Sequence, residues 1–355
     1  MTRRQAERVA WVVGGVGLAG TVVGWIFFPV AFPHAWLAAV AVWMGWPLGC
    51  MGLLLIHALT GGRWGYAIRP LLVCGMATLP LLIPVLIPLM TMLAALYPWA
   101  RSGAALHLDN RLYLNLPFFV GRIIVYLIVW FGLAGLILRA LRRPAPELAL
   151  ARLAPAGLIA LALTVTYAAV DMTMSLDPRF VSSVYGMIEI SEMGLLALSV
   201  SIFAAALGLP PDDGTVHSLG RLLLGLVVLW AYLDFMQVLI IWQSDLADEA
   251  PWYIVRSTGG WGIAAAVVAA GHFVLPFFAL IWPQVQRSRR GIAVVAALLV
   301  LTAIIHGWWL VVPASGRGLG LLDVLAMLGL LGIAAALALR APSLSMMRNA
   351  VRSHA

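Results

Sequence analysis

The sequence predicts an all-α integral membrane protein with about ten transmembrane helices, most simply arranged as one polytopic membrane domain over residues 1–355. Three observations support this prediction. Hydrophobic residues make up 63% of the chain and charged residues only 10%, against about 25% charged residues in soluble domains. The mean hydropathy is +1.01. The apolar residues are concentrated in runs that are long enough to cross a bilayer, and little sequence is left between them.

A spanning helix needs roughly 20 apolar residues, and ten segments satisfy this requirement. They are residues 9–30, 36–59, 70–97, 117–140, 153–174, 184–208, 217–243, 259–282, 292–311 and 320–340. The first segment follows Arg3, Arg4 and Arg8, as a signal peptide would. It is too long for a signal peptide and has no small-residue cleavage pattern behind it, so we assign it as the first membrane helix.

The net charge of +8 indicates orientation in the membrane and not nucleic-acid binding. All 22 basic residues are arginines, and most fall in loops on the side of the N-terminus. This bias predicts that both termini face the cytoplasm, as in a multi-pass protein of the bacterial inner membrane. The only cysteines, Cys50 and Cys74, are too far apart for a CxxC motif or an iron–sulfur ligand set.

The third segment contains Pro80, Pro84 and Pro88 at four-residue spacing. Each proline removes a backbone donor, so we expect this helix to bend or open. A kinked structural helix is the favoured interpretation over an ion or substrate path.

The most informative stretch, residues 167–194, runs from the end of the fifth segment into the sixth and contains four acids. Asp177 precedes a proline and is expected in a turn. Glu189 and Glu192 are three residues apart and therefore share a helix face, with Asp171 close by across the turn. A carboxylate in hydrocarbon costs several kcal/mol unless it is neutralised, paired or hydrated, so packing alone does not explain this group.

Other polar residues lie at comparable depth in neighbouring segments. Arg122 and Tyr126 are one turn apart near the outer end of the fourth segment, where Arg122 either snorkels to the surface or serves as counter-ion to the acids. The remaining members of the outer half are Asp234, His306 and Asp323, and His272 is predicted near the midplane.

These positions lead to the hypothesis of a hydrated half-channel that is open to the outer side. Its proton pathway would consist of Asp171, Glu189, Glu192 and Asp234, with His272 at the inner limit. Arg122, His306 and Tyr126 would tune the acids. The alternative for each acid is a static ion pair with Arg122 or a satisfied helix hydrogen bond.

Other chemistry has less support in the sequence. Haem b needs two histidines at matching depth on facing helices, and counting places His57, His272 and His306 at three different depths. No HExxH motif or other metal-ligand spacing occurs. Two function classes remain, a membrane subunit of a quinol-oxidising respiratory complex and a proton-coupled secondary transporter.

Two stretches resemble a known family. Residues 171–189 (DMTMSLDPRFVSSVYGMIE) are similar to the D-x-x-x-SL-x-P-x-[WF]-x-S-x-x-[FY]-G pattern in a membrane subunit of bacterial alternative complex III. Residues 219–261 resemble the same subunit in having an aromatic-rich helix, then I-W, an acidic loop, W-x-x-x-R and G-x-W. On these motifs the chain is identified as a member of the ActF subunit family, within the polysulfide-reductase (NrfD-like) superfamily.

The resemblance implies two four-helix bundles plus peripheral helices, and quinol:electron-acceptor oxidoreductase activity of the whole complex. The expected partners are an iron–sulfur protein, a paralogous NrfD-like subunit that binds quinol, cytochrome c subunits and membrane lipid. The redox cofactors would be carried by those partners. This chain would bind no redox cofactor, would conduct protons, and is a candidate for a quinone- or quinol-binding surface.

Overall fold

The computed structural model describes residues 2–101, 110–208, 212–244 and 247–341, and the regular secondary structure within them is helical. The helices are α1 (Arg3–Phe27), α2 (Phe32–Thr60), α3 (Arg63–Met76), α4 (Leu82–Thr91), α5 (Leu93–Leu96), α6 (Leu116–Leu141), α7 (Pro146–Met172), α8 (Tyr185–Gly208), α9 (Asp213–Gln243), α10 (Ala250–Ser257), α11 (Gly259–Val268), α12 (Leu275–Ile281), α13 (Pro283–Arg287), α14 (Arg289–Val311) and α15 (Leu321–Arg340). Ten spans among these residues are long and apolar enough to cross a membrane, which confirms the predicted all-α class.

Several helices begin earlier than hydropathy predicts. The first starts at Arg3 and not at residue 9, and the third span covers Arg63–Thr91 and not residues 70–97. Hydropathy detects only the part of a helix that matches hydrocarbon, whereas backbone hydrogen bonds continue into the polar membrane surface. At its C-terminal end the third span is interrupted at Met92 (φ −119°, ψ 22°), and the short helix α5 then covers Leu93–Leu96.

The proline-rich third span is interrupted, as predicted. α3 ends at Met76, a 3-10 turn follows at Leu79–Leu81, and α4 resumes at Leu82. The missing proline donors allow this break, and the neighbouring helix α2 covers it, with the Trp36 indole donating to the Val85 carbonyl at 2.9 Å.

The spans pack as two four-helix groups with an outer pair. Spans two to five (α2, α3 with α4, α6 and α7) form the first bundle, and spans six to nine (α8, α9, α11 with α12, and α14) form the second. α2 contacts α8 and α14 and so joins the bundles. It is buried along nearly its whole length, which is typical of a helix that is hydrophobic on all faces. This arrangement agrees with the expected two bundles plus peripheral helices.

The outer pair is α1 and α15, which cross at glycines. A Cβ on Gly17 would collide with the backbone of Gly329, and a Cβ on Gly14 would lie 2.6 Å from the Ile333 nitrogen. Small residues allow two membrane helices to approach closely where no hydrophobic effect drives them together. On the side where α1 begins and α15 ends, called here the terminal side, the Arg3 guanidinium donates to the Leu339 and Ala341 carbonyls. We call the opposite side the distal side.

The crossing predicts unequal effects for two glycines on the same helix. Gly17→Ala should lower the free energy of unfolding by about 1–3 kcal/mol because the methyl group forces the backbones apart. Thermal unfolding in detergent measures the change.

Gly15→Ala is the matched control, since nothing lies within 4 Å of a Cβ at that position, and alanine there should stabilise the helix by up to about 1 kcal/mol. Equal unfolding temperatures for the two variants would contradict the packing.

Candidate functional site

The first cluster of buried polar groups joins α6 to α7. The Arg122 guanidinium donates from Nε to Asp171 Oδ2 and from Nη2 to Asp171 Oδ1, each at 2.8 Å. The Tyr126 hydroxyl donates to Asp171 Oδ2 at 2.6 Å. Asp171 is completely buried. The two-pronged geometry is the strong form of an arginine–carboxylate pair, so Arg122 acts as a counter-ion and does not snorkel.

The residues that lead into α6 hold Arg122 in place. Its guanidinium lies over the rings of Tyr113 and Phe118, with Cζ 3.8 Å and 4.4 Å from the ring centroids. Its Nη1 donates to the Tyr113 carbonyl at 3.0 Å. Asn115 caps the helix by accepting from the Phe118 amide, which brings this ring beside Arg122. Both oxygens of Asp171 are therefore satisfied within the protein.

The second cluster lies in the other bundle and centres on His272. His272 Nε2 is 3.0 Å from Glu192 Oε2, and His272 Nδ1 is 2.7 Å from Thr302 Oγ1. The Thr302 hydroxyl donates to backbone carbonyls of its own helix, the nearer being Leu298 at 2.9 Å. Its oxygen is thus left to accept, and this assigns a proton to His272 Nδ1.

This assignment defines how the Glu192–His272 pair can hold charge. With Nδ1 protonated, one further proton lies between His272 Nε2 and Glu192 Oε2. The pair is then either neutral acid with neutral imidazole or carboxylate with imidazolium, and the two states differ only in the position of that proton. His272 is completely buried and Glu192 is 9% exposed. Such a pair is suited to pass a proton on.

His272 lies in a local distortion of its span. Residues Ala269–Val274 form a π-helical turn between α11 and α12. Single π-turns inside α-helices are frequent at functional sites. Gly271 in this turn packs against Thr302, whose Cγ2 would be 2.6 Å from an added Cβ. The close approach brings α14 within hydrogen-bonding distance of His272.

The predicted depths of His272 and His306 require a correction. Counting from helix ends places them at different levels, whereas their ring centroids are 6.4 Å apart, and the Trp230 ring contacts both. The reason is that α14 continues through a 3-10 turn to Ser315. The Trp261 indole donates to the Arg317 carbonyl at 3.1 Å, so these two residues lie at the same level. His272 is eleven residues after Trp261, and His306 is eleven residues before Arg317, so the two histidines lie at a similar depth.

A small cavity connects His306 with the acids of α8. Its volume is about 30 Å³, and its wall includes Glu189, Glu192 and His306. By the measure of about 10–15 Å³ per water position, it has room for two or three. Glu192 Oε1 is buried without a hydrogen-bond partner in the described part of the chain. The cavity therefore lies between Glu192 and His306, and the rest of its wall is mostly apolar.

A much larger cavity lies on the other side of His306. It has a volume of about 640 Å³, is half-open, and lies between α9, α10, α11 with the π-turn, and α14. Asp234 and His306 are in its wall. The structure thus arranges four predicted residues in a series from this cavity inwards, namely Asp234, His306, Glu192 and His272, with Glu189 beside the small cavity.

Four residues that line the large cavity or contact His272 were not among the predicted site residues, namely Arg256, Trp230, Tyr253 and Thr302. Arg256 is 3% exposed, lies over the Trp252 ring with Cζ 3.6 Å from its centroid, and donates to the Trp252 and Leu310 carbonyls. Burial lowers its pKa to about 10, so it stays a cation at neutral pH. Spacing could have indicated two of them. Trp230 lies four residues before Asp234, and Thr302 lies four residues before His306, so each pair shares a helix face.

The structure does not gather all the predicted acids into one pocket. Asp171 is bonded to α6, whereas Glu192 is bonded to the π-turn of the second bundle. Asp323 forms a separate pair with Arg317, at 2.6 and 2.7 Å, and accepts from the Gly320 amide at the start of α15. Asp177 accepts from the Arg179 amide at 3.2 Å, which confirms its prediction as a turn residue. Within the described residues, no group of three or more His, Cys, Asp or Glu side chains is placed to bind a metal ion.

The buried Arg122–Asp171 pair predicts a large loss of stability when one partner is removed. Asp171→Asn should lower the free energy of unfolding by about 3–5 kcal/mol because it leaves the guanidinium without a counter-charge. Tyr126→Phe should cost about 1.5–3 kcal/mol, as expected for one hydrogen bond to a charged group. Unfolding in detergent with denaturant measures both.

The exposed pair Arg179–Asp177 provides the control. The Arg179 side chain is 70% exposed, so Arg179→Gln should change stability by no more than about 1 kcal/mol. A similarly small effect of Asp171→Asn would mean that the Arg122 pair is not desolvated as the geometry indicates.

Comparison with known proteins adds no family assignment. No protein-family profile matches the sequence, and no curated protein matches it. Over the described residues, the fold identifies a multi-pass membrane protein that is helical in its regular secondary structure and has ten candidate spans.

Proposed function

We propose that this chain is a proton-conducting membrane subunit of a quinol:electron-acceptor oxidoreductase complex of the alternative complex III type. The resemblance of residues 171–189 and 219–261 to the ActF family supports this assignment. The observation that carries it is the Glu192–His272 hydrogen bond of 3.0 Å, deep in a bundle and next to a cavity with room for water.

The proposed half-channel begins at His306, in the half of the protein nearer the distal side, which the arginine bias makes periplasmic. Asp234 and His306 lie in the wall of the large cavity and exchange protons with a molecule bound there. Water in the small cavity connects His306 to Glu189 and to the free Oε1 of Glu192. Glu192 then shares a proton with His272, and Thr302 ends the chain of hydrogen bonds on the far side of the imidazole.

The redox chemistry is assigned to the partner subunits. Oxidation of one quinol to quinone releases two electrons and two protons. The electrons pass to iron–sulfur clusters and haems of the partners, and on to an acceptor such as cytochrome c. Side chains of this subunit take part only in moving protons. The Arg122–Asp171–Tyr126 cluster fastens α6 to α7, because arginine keeps its proton at physiological pH.

One observation favours a second candidate, a proton-coupled secondary transporter. Transporter sites are commonly built where a membrane helix is interrupted near the midplane, and the π-turn at His272 is such an interruption. The two functions are separable by reconstitution. A transporter would move its substrate with the purified chain alone in liposomes, whereas a respiratory subunit requires its partners for turnover.

Glu192→Gln tests the proposed path. Glutamine keeps the size of the side chain but cannot exchange a proton. The rate of proton release by the assembled complex during quinol oxidation should therefore fall by a factor of about 10²–10⁴. Proton release is measured with a pH-sensitive dye in proteoliposomes, and assembly by co-purification of the partners.

Glu7→Gln makes the same chemical change at a half-buried position of α1, outside the walls of both cavities, and should leave proton release as it is. If Glu192→Gln assembles and still releases protons at the normal rate, the path does not run through this carboxyl group.

Thr302 offers a test of the tautomer. Thr302→Val removes the oxygen that accepts from His272 Nδ1, so the imidazole loses its fixed orientation. Proton release should slow by about tenfold and its pH profile should shift. Thr302→Ser restores the acceptor and should recover both. A valine variant with an unchanged pH profile would show that Thr302 has only a packing role.

A further inference from the structure

The large cavity has the dimensions and composition of a small-molecule site. Its volume of about 640 Å³ falls within the range of about 300–1,000 Å³ found for ligand pockets. Most of its wall is apolar, and a few polar groups are placed at separate points. They include Asp234, Arg256 and His306. This combination typically orients a ligand that is apolar over most of its surface.

The wall is rich in aromatic rings, which indicates a flat ligand. Trp230, Phe273, Phe277 and Trp309 line the cavity along its length, and Tyr253 adds a ring that also carries a hydroxyl group. Aromatic side chains favour stacked or edge-to-face contacts with another ring. A planar ring therefore fits this wall better than a branched or flexible polar molecule does.

The cavity opens towards the bilayer. Tyr232, Phe235 and Val274 line its wall and are 56%, 59% and 40% exposed on the outer surface of their spans. A ligand enters past these side chains from the hydrocarbon and not from water, so it must be soluble in lipid.

Arg256 supplies an unused donor at the wall. Its Nε is buried and has no hydrogen-bond partner in the described part of the chain, while its terminal nitrogens donate to backbone carbonyls. Leaving a buried donor unsatisfied costs about 1–3 kcal/mol. An oxygen acceptor on the ligand would remove this cost. Asp234 in the same wall would repel an anionic headgroup, so a neutral acceptor is favoured.

We propose that this cavity binds a neutral lipid-soluble quinone or quinol, with one ring oxygen at Arg256, the ring among the aromatic side chains, and the other oxygen towards His306. The isoprenoid tail would leave between Phe235 and Val274 into the bilayer. The choice of quinone as the ligand class rests on the proposed function. This binding site is then continuous with the proton path, because His306 lines both cavities.

The test is photo-labelling of the purified chain in nanodiscs with an azido-benzoquinone and an azido-naphthoquinone, each in competition with its unlabelled short-tail parent. We expect the label on peptides from α9 and from α11 to α12. The apparent Kd of the competitor should rise at least tenfold in Ala265→Phe, which fills the cavity, and in Arg256→Gln. Arg256→Lys should bind with intermediate affinity.

Ala266→Phe is the matched control, because Ala266 is the next residue on α11, is exposed, and is not part of the cavity wall. It should bind within twofold of the unaltered chain. The Ala265→Phe arm keeps the test decisive if Arg256→Gln fails to fold. Unchanged labelling of Ala265→Phe, or displacement of the label by phosphatidylglycerol and not by quinone, would overturn the proposal.

Failure of this inference and failure of the proposed function give different results. If no label is found in the cavity while Glu192→Gln stops proton release, the quinone site is wrong and the proton path stands. If the label is found there while Glu192→Gln releases protons normally, the site stands and the proton path is wrong.

Discussion

The hydrogen bond between Glu192 and His272 joins two ionisable groups at a depth where neither charge would be stable alone. A lone carboxylate or imidazolium in hydrocarbon costs several kcal/mol. The pair avoids this cost in either protonation state, because the shared proton changes place over 3.0 Å and the net charge of the pair does not change. The π-turn, the close contact of Gly271 with α14 and the orienting Thr302 all serve to keep this geometry.

The two buried pairs of the molecule differ in what they can do. Arg122 and Asp171 are joined by two parallel hydrogen bonds, and the third bond from Tyr126 completes the shell. Because arginine does not release its proton, this pair is permanent and fastens two helices. The imidazole of histidine, unlike the guanidinium of arginine, can give up or take up a proton, so the Glu192–His272 pair can take part in transfer. The same principle of paired burial therefore produces a structural clamp in one bundle and a reactive pair in the other.

His306 is the residue through which the two cavities meet. Its ring stacks on Trp309 and meets the edge of Trp230, so aromatic packing determines its position. One face of this arrangement borders the large, mostly apolar cavity, and the other borders the small cavity beside Glu189 and Glu192. In the proposed function, this arrangement would bring a lipid-soluble reductant next to the proton path without admitting bulk water to the bundle.

Much of the fold follows from local properties of the chain. The ten spans were predictable because runs of about 20 apolar residues have no other stable environment. The break in the third span follows from its prolines, and the turn at Asp177 follows from the proline after it. The sequence also indicated that buried acids, Arg122 and His272 matter, since each is costly in a membrane. Which acid pairs with which base was decided by helix packing alone. Asp171 and Glu192 belong to different bundles, and the level of His306 depends on how far α14 continues past its regular end. These are contacts between residues far apart in the chain, and no local pattern encodes them.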